Sequence, residues 1–201
     1  ALKDDAEALF FIKYNFYNHV VYDIGSSIGM MTQFFSASVN RRCKVFAFEP
    51  NPEPFKILDK RIGRDIGLNV KVFNIAIGKE DGQSEMIVSN EHSATGSFEK
   101  NIKLGLLKNG NIYKLKVPVQ SLDNFIKTQD KINMPTFIKI DTEGLEYDVL
   151  KGSINYLKKY KPKLFIELHG LNMDHKLKNI KKISELLYKH NYLAYRIETK
   201  Q

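Results

Sequence analysis

Within the first 78 residues three apolar runs alternate with two helical patterns, and this alternation restricts the fold more than any other feature. The runs are His19-Val20-Val21-Tyr22-Asp23-Ile24, Lys44 to Phe48, and Val70 to Ile77. In the second, Val45-Phe46-Ala47-Phe48 is apolar throughout, which fits a strand covered on both faces. After the first run, Gly25-Ser26-Ser27-Ile28-Gly29 turns the chain into a helix over about 30–40 that carries Phe34, Phe35 and Val39. After the second, Asn51 can cap a helix with Pro52 in its first turn. That helix runs to about Ile66, turns Phe55, Leu58 and Ile62 inward, and closes at Gly67. Strand–helix–strand–helix–strand implies right-handed crossovers and a parallel sheet.

The rest of the chain extends this pattern. Residues 4–18 suit a helix with a loose stripe of Ala8, Phe11, Ile12 and Phe16. Gly82 to Ser89 and Tyr113 to Val119 read as strands, and the polar stretch from Glu91 to Asn111 between them as a long loop of the kind that is functional or mobile. Leu122 to Lys127 is a short helix, Thr136 to Ile140 a fourth parallel strand, and Glu146 to Leu157 a helix. Lys163 to Leu168 is a fifth strand, and Asp174 to His190 a helix with Leu177, Ile180, Ile183 and Leu187 on one stripe. Tyr192 to Ile197 is expected as a last strand. The expected architecture is α/β: a mostly parallel, doubly wound sheet with helices on both faces and a small β insertion before strand four. One domain over 1–201 accommodates it, with an N-terminal helix over 1–18, a core over 20–170, and a C-terminal helix and strand over 171–201.

Composition excludes several classes. No apolar run approaches the ~20 residues of a membrane span, and the acidic start lacks the order of a signal peptide. Ala1 is not a natural start, so a longer natural chain is expected. Cys43, the one cysteine, allows neither an internal disulfide nor a cysteine metal site. It reads as a small buried or half-buried residue in a reducing cytoplasm. The net charge of +8 raises a nucleic-acid partner. The lysines, however, cluster at 158–163 and 176–182 on or beside helices with interleaved apolar residues, as solvated faces do.

Chemistry concentrates at the carbonyl ends of the strands. Gly25 permits a tight turn, Gly29 lets the next helix pack close, and the helix start offers free N–H groups. The spacing is neither the dinucleotide fingerprint nor a phosphate loop. Glu49 ends the second strand, within Phe48-Glu49-Pro50-Asn51, where a carboxylate can accept both hydroxyl protons of a cofactor ribose. Asn74 and Ala76, in Asn74-Ile75-Ala76-Ile77-Gly78, can flank an adenine. The most unusual segment is Phe137-Ile138-Lys139-Ile140-Asp141-Thr142-Glu143-Gly144-Leu145-Glu146. It would bring Asp141 and Glu143 to the edge that holds Asp23 and Glu49, and crowded carboxylates call for a cationic ligand or a catalytic use. Glu146 reads as favourable charge at a helix start. Glu167 and His169 end the fifth strand, and His169 is the one histidine placed to take a proton.

In these motifs the sequence resembles the FkbM-type methyltransferases. The resemblance rests on Asp23-Ile24-Gly25…Ile28-Gly29, Phe48-Glu49-Pro50, Asn74-x-Ala76-x-Gly78, and Val117 to Asp123. It rests above all on Lys139-Ile140-Asp141-x-Glu143-Gly144-x-Glu146, followed by Val149-Leu150-Lys151-Gly152, Lys161-Pro162 and Glu167-x-His169. It implies a Rossmann-like fold and O-methylation from S-adenosylmethionine, commonly of hydroxyls on sugars, glycolipids or polyketide-type molecules. Carried onto this chain, it implies that Asp23, Gly25, Ser26, Ser27, Gly29, Glu49, Pro50, Asn51, Asn74 and Ala76 hold the cofactor, with Ser97 reaching toward the site. Asp141 and Glu143 would stand near the transferring methyl, Asp141 also touching cofactor. Ser26-Ser27 departs from the Ala-Asn common in the family. A complete fold also has a hairpin after the helix at 174–190, so a last strand is expected to be missing or replaced.

A hydroxyl attacking a sulfonium methyl must lose its proton. Glu143 is the first candidate to take it, with His169 second and Asp141 also in reach. No metal-ligand spacing is present and no metal is expected, with carboxylate-bound magnesium the one option left open. The expected acceptor is a small molecule or carbohydrate. An RNA methyltransferase on the same fold, and a catalytically silent cofactor-fold binding module, are the alternatives.

Overall fold

The computed structural model describes residues 6–38, 43–65, 69–89, 96–97, 112–129, 132–170 and 172–197. In chain order the elements begin with helix α1 (Ala6–Lys13), strand β1 (Val20–Ile24), helix α2 (Met30–Ala37), strand β2 (Lys44–Phe48), helix α3 (Pro52–Asp65) and strand β3 (Val70–Phe73). Four further strands are β4 (Ala76–Gly78), β5 (Gly82–Ser89), β6 (Gly96–Ser97) and β7 (Ile112–Ser121). The chain continues through α4 (Leu122–Thr128), β8 (Phe137–Ile140), α5 (Glu146–Lys151), α6 (Ile154–Tyr160), β9 (Lys163–Ile166) and α7 (Met173–Lys189).

Five strands form one sheet in the order β3-β2-β1-β8-β9, every neighbouring pair parallel. Alternation along the strands divides the core between two faces. Val21, Val45 and Phe137 are in register on one face and pack with Phe11 of α1, Phe16, and Phe35 of α2. On the other face Tyr22, Phe46 and Ile138 are in register and pack with Phe125, Leu150, Leu157, Ile183 and Leu187 from α4 to α7. Both-face coverage explains why these strands carry apolar residues at nearly every position. The second sheet, ordered β4-β7-β5-β6, is the small β insertion before strand four, with Ala76, Met86, Val88 and Val117 as its core.

Several local expectations are corrected. Val70 to Ile77 is not one strand: β3 joins the first sheet and β4 the second. Asn74 at the break donates from Nδ2 to the carbonyls of Glu49 and Pro50 at 2.8 and 3.0 Å, which ties the bend to the end of β2. Glu146 to Leu157 is two helices, because Asp123 caps a new start by accepting from the N–H groups of Asn155 and Tyr156. The α7 stripe leaves Leu177 exposed; its buried positions are Asn179, Ile183 and Leu187, spaced four apart. Helix α1 ends at Lys13, and buried Phe16 lies beyond it. β9 ends at Ile166, so Glu167 and Leu168 lie past its end. Residues 192–197 form no strand: Leu193 and Tyr195 face solvent, and Tyr192 instead packs against the core and donates from its hydroxyl to the Leu157 carbonyl. The loop expected over 91–111, with His92, lies outside the described residues except for Gly96 and Ser97, and so do Val39 and Gly67. Cys43 is buried.

Candidate active site

The sheet order reverses at β1, where the chain leaves toward β2 and β3 on one side and toward β8 and β9 on the other. Strand ends on either side of such a point leave a crevice. Here it is a cleft of about 300 Å³. Its floor is Ile24, Gly25 and Ser27 after β1, with Phe48, Glu49 and Pro50 after β2. One wall is apolar, from Ile75, Ala76, Ile77 and Met86; the other is Asp141, Thr142, Glu143 and Leu145 after β8.

Gly25 and Gly29 both adopt positive φ, +83° and +87°. A Cβ on Gly25 would fall on the carbonyl oxygen of Asp141, and one on Gly29 would overlap Leu58 Cδ1. The glycine turn thus lets β1 and β8 close at their ends and seats α2 against α3.

Glu49 is 5% exposed, yet it lines the cleft. Its Oε2 accepts from the Ser27 N–H at 2.9 Å and its Oε1 from the Asn51 N–H at 2.8 Å, so the carboxylate is fixed in place. Burial pushes its pKa up to about 7 despite those two donors, with Asp23 and Asp141 adding to the rise. Asn51 Oδ1 in turn accepts from the Glu53 N–H at the start of α3.

Among the residues expected to hold the cofactor, Gly25, Ser27, Glu49, Pro50, Ala76 and Asp141 line the cleft. Asp23, Ser26, Gly29, Asn51 and Asn74 do not line it and stand behind its wall. Ser97 lies in β6 opposite Ile87, in the second sheet. Asp23 is fully buried; Thr32 donates to its Oδ2 at 2.6 Å, and its Oδ1 has no hydrogen-bond partner among the described residues. It faces Lys139 in the β1–β8 register. Lys139 is 2% exposed and donates from Nζ to Asp141 Oδ2 at 2.7 Å. Burial alone would lower its pKa, but the carboxylates of Asp23 and Asp141 outweigh it and keep the ammonium charged. For Asp23, complete burial dominates and raises the pKa.

Beside the cleft, His169 is ringed by four carboxylates. Its Nδ1 lies 3.3 Å from Glu146 Oε1, and its Nε2 lies 3.7 Å from Asp141 Oδ1, 3.7 Å from Glu143 Oε1 and 3.5 Å from Glu167 Oε1. The hydrogen bonds to Glu146 and then Glu167 push its pKa up to about 10, so the ring is an imidazolium near neutrality. It cannot then take a proton from an acceptor, and the role expected for it as an alternative base does not suit this state. Glu143 lines the cleft, has φ +51°, and has its pKa raised, first by desolvation and then by neighbouring carboxylates, against the attraction of His169. Glu146 goes beyond a helix-start charge: it is 1% exposed and its Oε1 also accepts from the Gly144 N–H at 2.9 Å. Sequence reasoning missed Lys139 and Glu146 as parts of the site. A lysine inside a run of buried strand residues was the available signal for the first.

A parallel sheet of this order, a glycine turn after its first strand and a carboxylate after its second define a Rossmann-like cofactor-binding domain. The chain belongs to the methyltransferase FkbM domain family, whose match covers residues 23–194. The family is one of methyltransferases, and S-adenosylmethionine is the methyl donor that it brings. Methyltransferase 1 of Beauveria bassiana (strain ARSEF 2860) is 24% identical over 144 residues, covering 66% of this chain and 57% of that protein. Hexuronic acid methyltransferase AglP of Haloferax volcanii is 27% identical over 151 residues, covering 75% of this chain and 56% of that protein. The chain thus spans little more than half the length of these curated relatives. The crystal structure of methyltransferase FkbM from Methylobacillus flagellatus KT matches with a TM-score of 0.58 at 19% identity, over 85% of this chain and 37% of that one, and shares the fold. No helix among the described residues is long and apolar enough to cross a membrane.

Proposed function

We propose that this chain is the catalytic domain of an S-adenosylmethionine-dependent O-methyltransferase whose acceptor is a hydroxyl of a small molecule or carbohydrate, with acidic sugars first among candidates. The observation that carries this reading is the cleft itself, in which a fixed carboxylate, an apolar wall and an acidic wall meet at one switch point. These residues fit the cofactor. Glu49 suits a ribose diol, Ile75, Ala76 and Met86 suit an adenine, and the Gly25 turn beside Asp141 suits the amino-acid end. The likeness to a protein named for hexuronic acid supports the choice of acidic sugars. The one buried thiol agrees with a reducing, cytoplasmic setting.

When bound, the cofactor supplies an electrophilic methyl on sulfur. The chain's own contribution is to hold the acceptor oxygen close and aligned, which can supply up to roughly 7–11 kcal/mol, and to take its proton. Glu143 does the latter. It is 46% exposed toward the cleft mouth, and desolvation brings its carboxyl nearer to neutrality. Lys139 holds Asp141 in place, and His169 restrains Asp141 and Glu143 by charge.

Isothermal titration with S-adenosylmethionine and S-adenosylhomocysteine tests this, with NAD as control and Glu49→Ala as variant. Micromolar binding of both sulfur compounds, lost in the variant and absent for NAD, is expected. Absence of binding by the wild-type chain would remove the reading. A screen of uronic acids and neutral glycosides for methyl transfer then tests the acceptor class.

A further inference from the structure

We propose that Asp141, Glu167 and His169 bind a divalent metal ion of the manganese or magnesium type, which would present an acceptor oxygen to the cleft. The role toward the acceptor rests on the methyltransferase reading above; the ion site does not.

One carboxylate oxygen from each acid and one ring nitrogen of His169 lie within 4.8 Å of one another. Ligands about 2.1 Å from a common ion stand about 3.0–3.5 Å apart. His169 Nε2 is already 3.5 Å from Glu167 Oε1 and 3.7 Å from Asp141 Oδ1, so small side-chain rotations complete the set. The strands that carry the ligands hold them there. Ile140 pairs with Ile166, and the Glu167 N–H donates to the Ile140 carbonyl at 2.9 Å. Asp141 is anchored through Oδ2 by Lys139, which leaves Oδ1 for the ion.

His169 is oriented for the role. An ion would take the place of the Nε2 proton between the ring and the acidic pair, while the Nδ1 proton stays with Glu146. Metal-bound imidazoles are commonly held by a carboxylate in this way. A second observation stands beside the cluster: Glu146, which holds His169 Nδ1 through Oε1, is 1% exposed, and its Oε2 has no hydrogen-bond partner among the described residues. The imidazolium of His169 and the ammonium of Lys139 offset two negative charges, whereas four carboxylates converge on the ring. Two carboxylates and one imidazole suit manganese or magnesium better than soft ions. Glu167 is 42% exposed and Asp141 lines the cleft, so the ion would sit at the cleft's rim with positions open to an acceptor. A hydroxyl beside a second hydroxyl or a carboxylate is the bidentate group that fits. Binding to the ion would make the hydroxyl more acidic, and its proton would pass to Glu143.

The test strips the whole chain with a chelator and titrates it with manganese chloride, following free Mn²⁺ by electron paramagnetic resonance. One ion per chain is expected. Glu167→Gln and His169→Ala should each weaken it by at least the roughly 10–100-fold that loss of an outer-shell partner brings, while Glu185→Gln on the exposed face of α7 leaves it unchanged. Far-ultraviolet circular dichroism and S-adenosylhomocysteine affinity report whether each variant is folded. Wild-type binding no tighter than millimolar, or folded Glu167→Gln binding manganese like the wild type, would overturn the site. Manganese binding without S-adenosylhomocysteine binding removes the methyltransferase reading and leaves the ion site standing; the reverse result removes only the ion site.

Discussion

Glu49 and Glu143 show how neighbours set the use of a carboxylate. Glu49 has a folded pKa raised to about 7, so below that pH it is largely protonated and a weaker acceptor for a diol. If the ionised form binds, affinity for S-adenosylhomocysteine should rise by about tenfold from pH 6 to pH 8. Glu49→Gln should bind weakly with no such rise, and calorimetry at the two pH values decides it. Glu143→Gln should lower the methyl-transfer rate by about 10²–10⁴ and leave S-adenosylhomocysteine affinity within about twofold; retained turnover would move the proton elsewhere. Lys139 is a residue-scale constraint of another kind. Lys139→Met would strip the buried Asp23 carboxylate of its nearby cation at a cost of about 3–5 kcal/mol. The double variant with Asp23→Asn should recover part of that loss in urea denaturation.

At the scale of elements, the turn from β1 into α2 joins the fold to the cleft. Gly25 combines positive φ with contact against the Asp141 carbonyl, so any side chain there must separate the ends of β1 and β8. Gly25→Ala should therefore abolish detectable S-adenosylhomocysteine binding in calorimetry while far-ultraviolet circular dichroism keeps its helical and strand signal. Helix α1 acts through packing. Its Phe11 is 2% exposed and meets Phe16, Phe35, Phe137 and Phe165. Phe11→Ala should cost about 3–5 kcal/mol, measured by urea denaturation.

For the whole molecule, the division into two sheets forms the cleft. The first sheet supplies Glu49, Asp141 and Glu143, while the second contributes Ala76, Ile77 and Met86 as the opposing wall. The lysines that give the net charge of +8 include Lys159, Lys161 and Lys163, each lying over a tyrosine ring at 4.9–5.1 Å, so part of that charge already has local partners.

The sequence by itself determined the parallel sheet and the edge at which the chemistry lies. Strands buried on both faces carry apolar residues at nearly every position, so Val20 to Ile24, Val45 to Phe48 and Phe137 to Ile140 were legible as runs. A glycine turn or an acid directly after each marked the carbonyl ends. Only the tertiary structure decided that Val70 to Ile77 divides between two sheets, because the bend is held by Asn74 reaching the distant carbonyls of Glu49 and Pro50. It also decided that Tyr192 to Ile197 finds no strand partner, since alternation signals a strand but pairing depends on a neighbour elsewhere in the chain. The state of His169 was likewise beyond local reading. Its four acids come from two segments brought together by the pairing of β8 with β9, and a charge is set by what stands within a few ångströms in space.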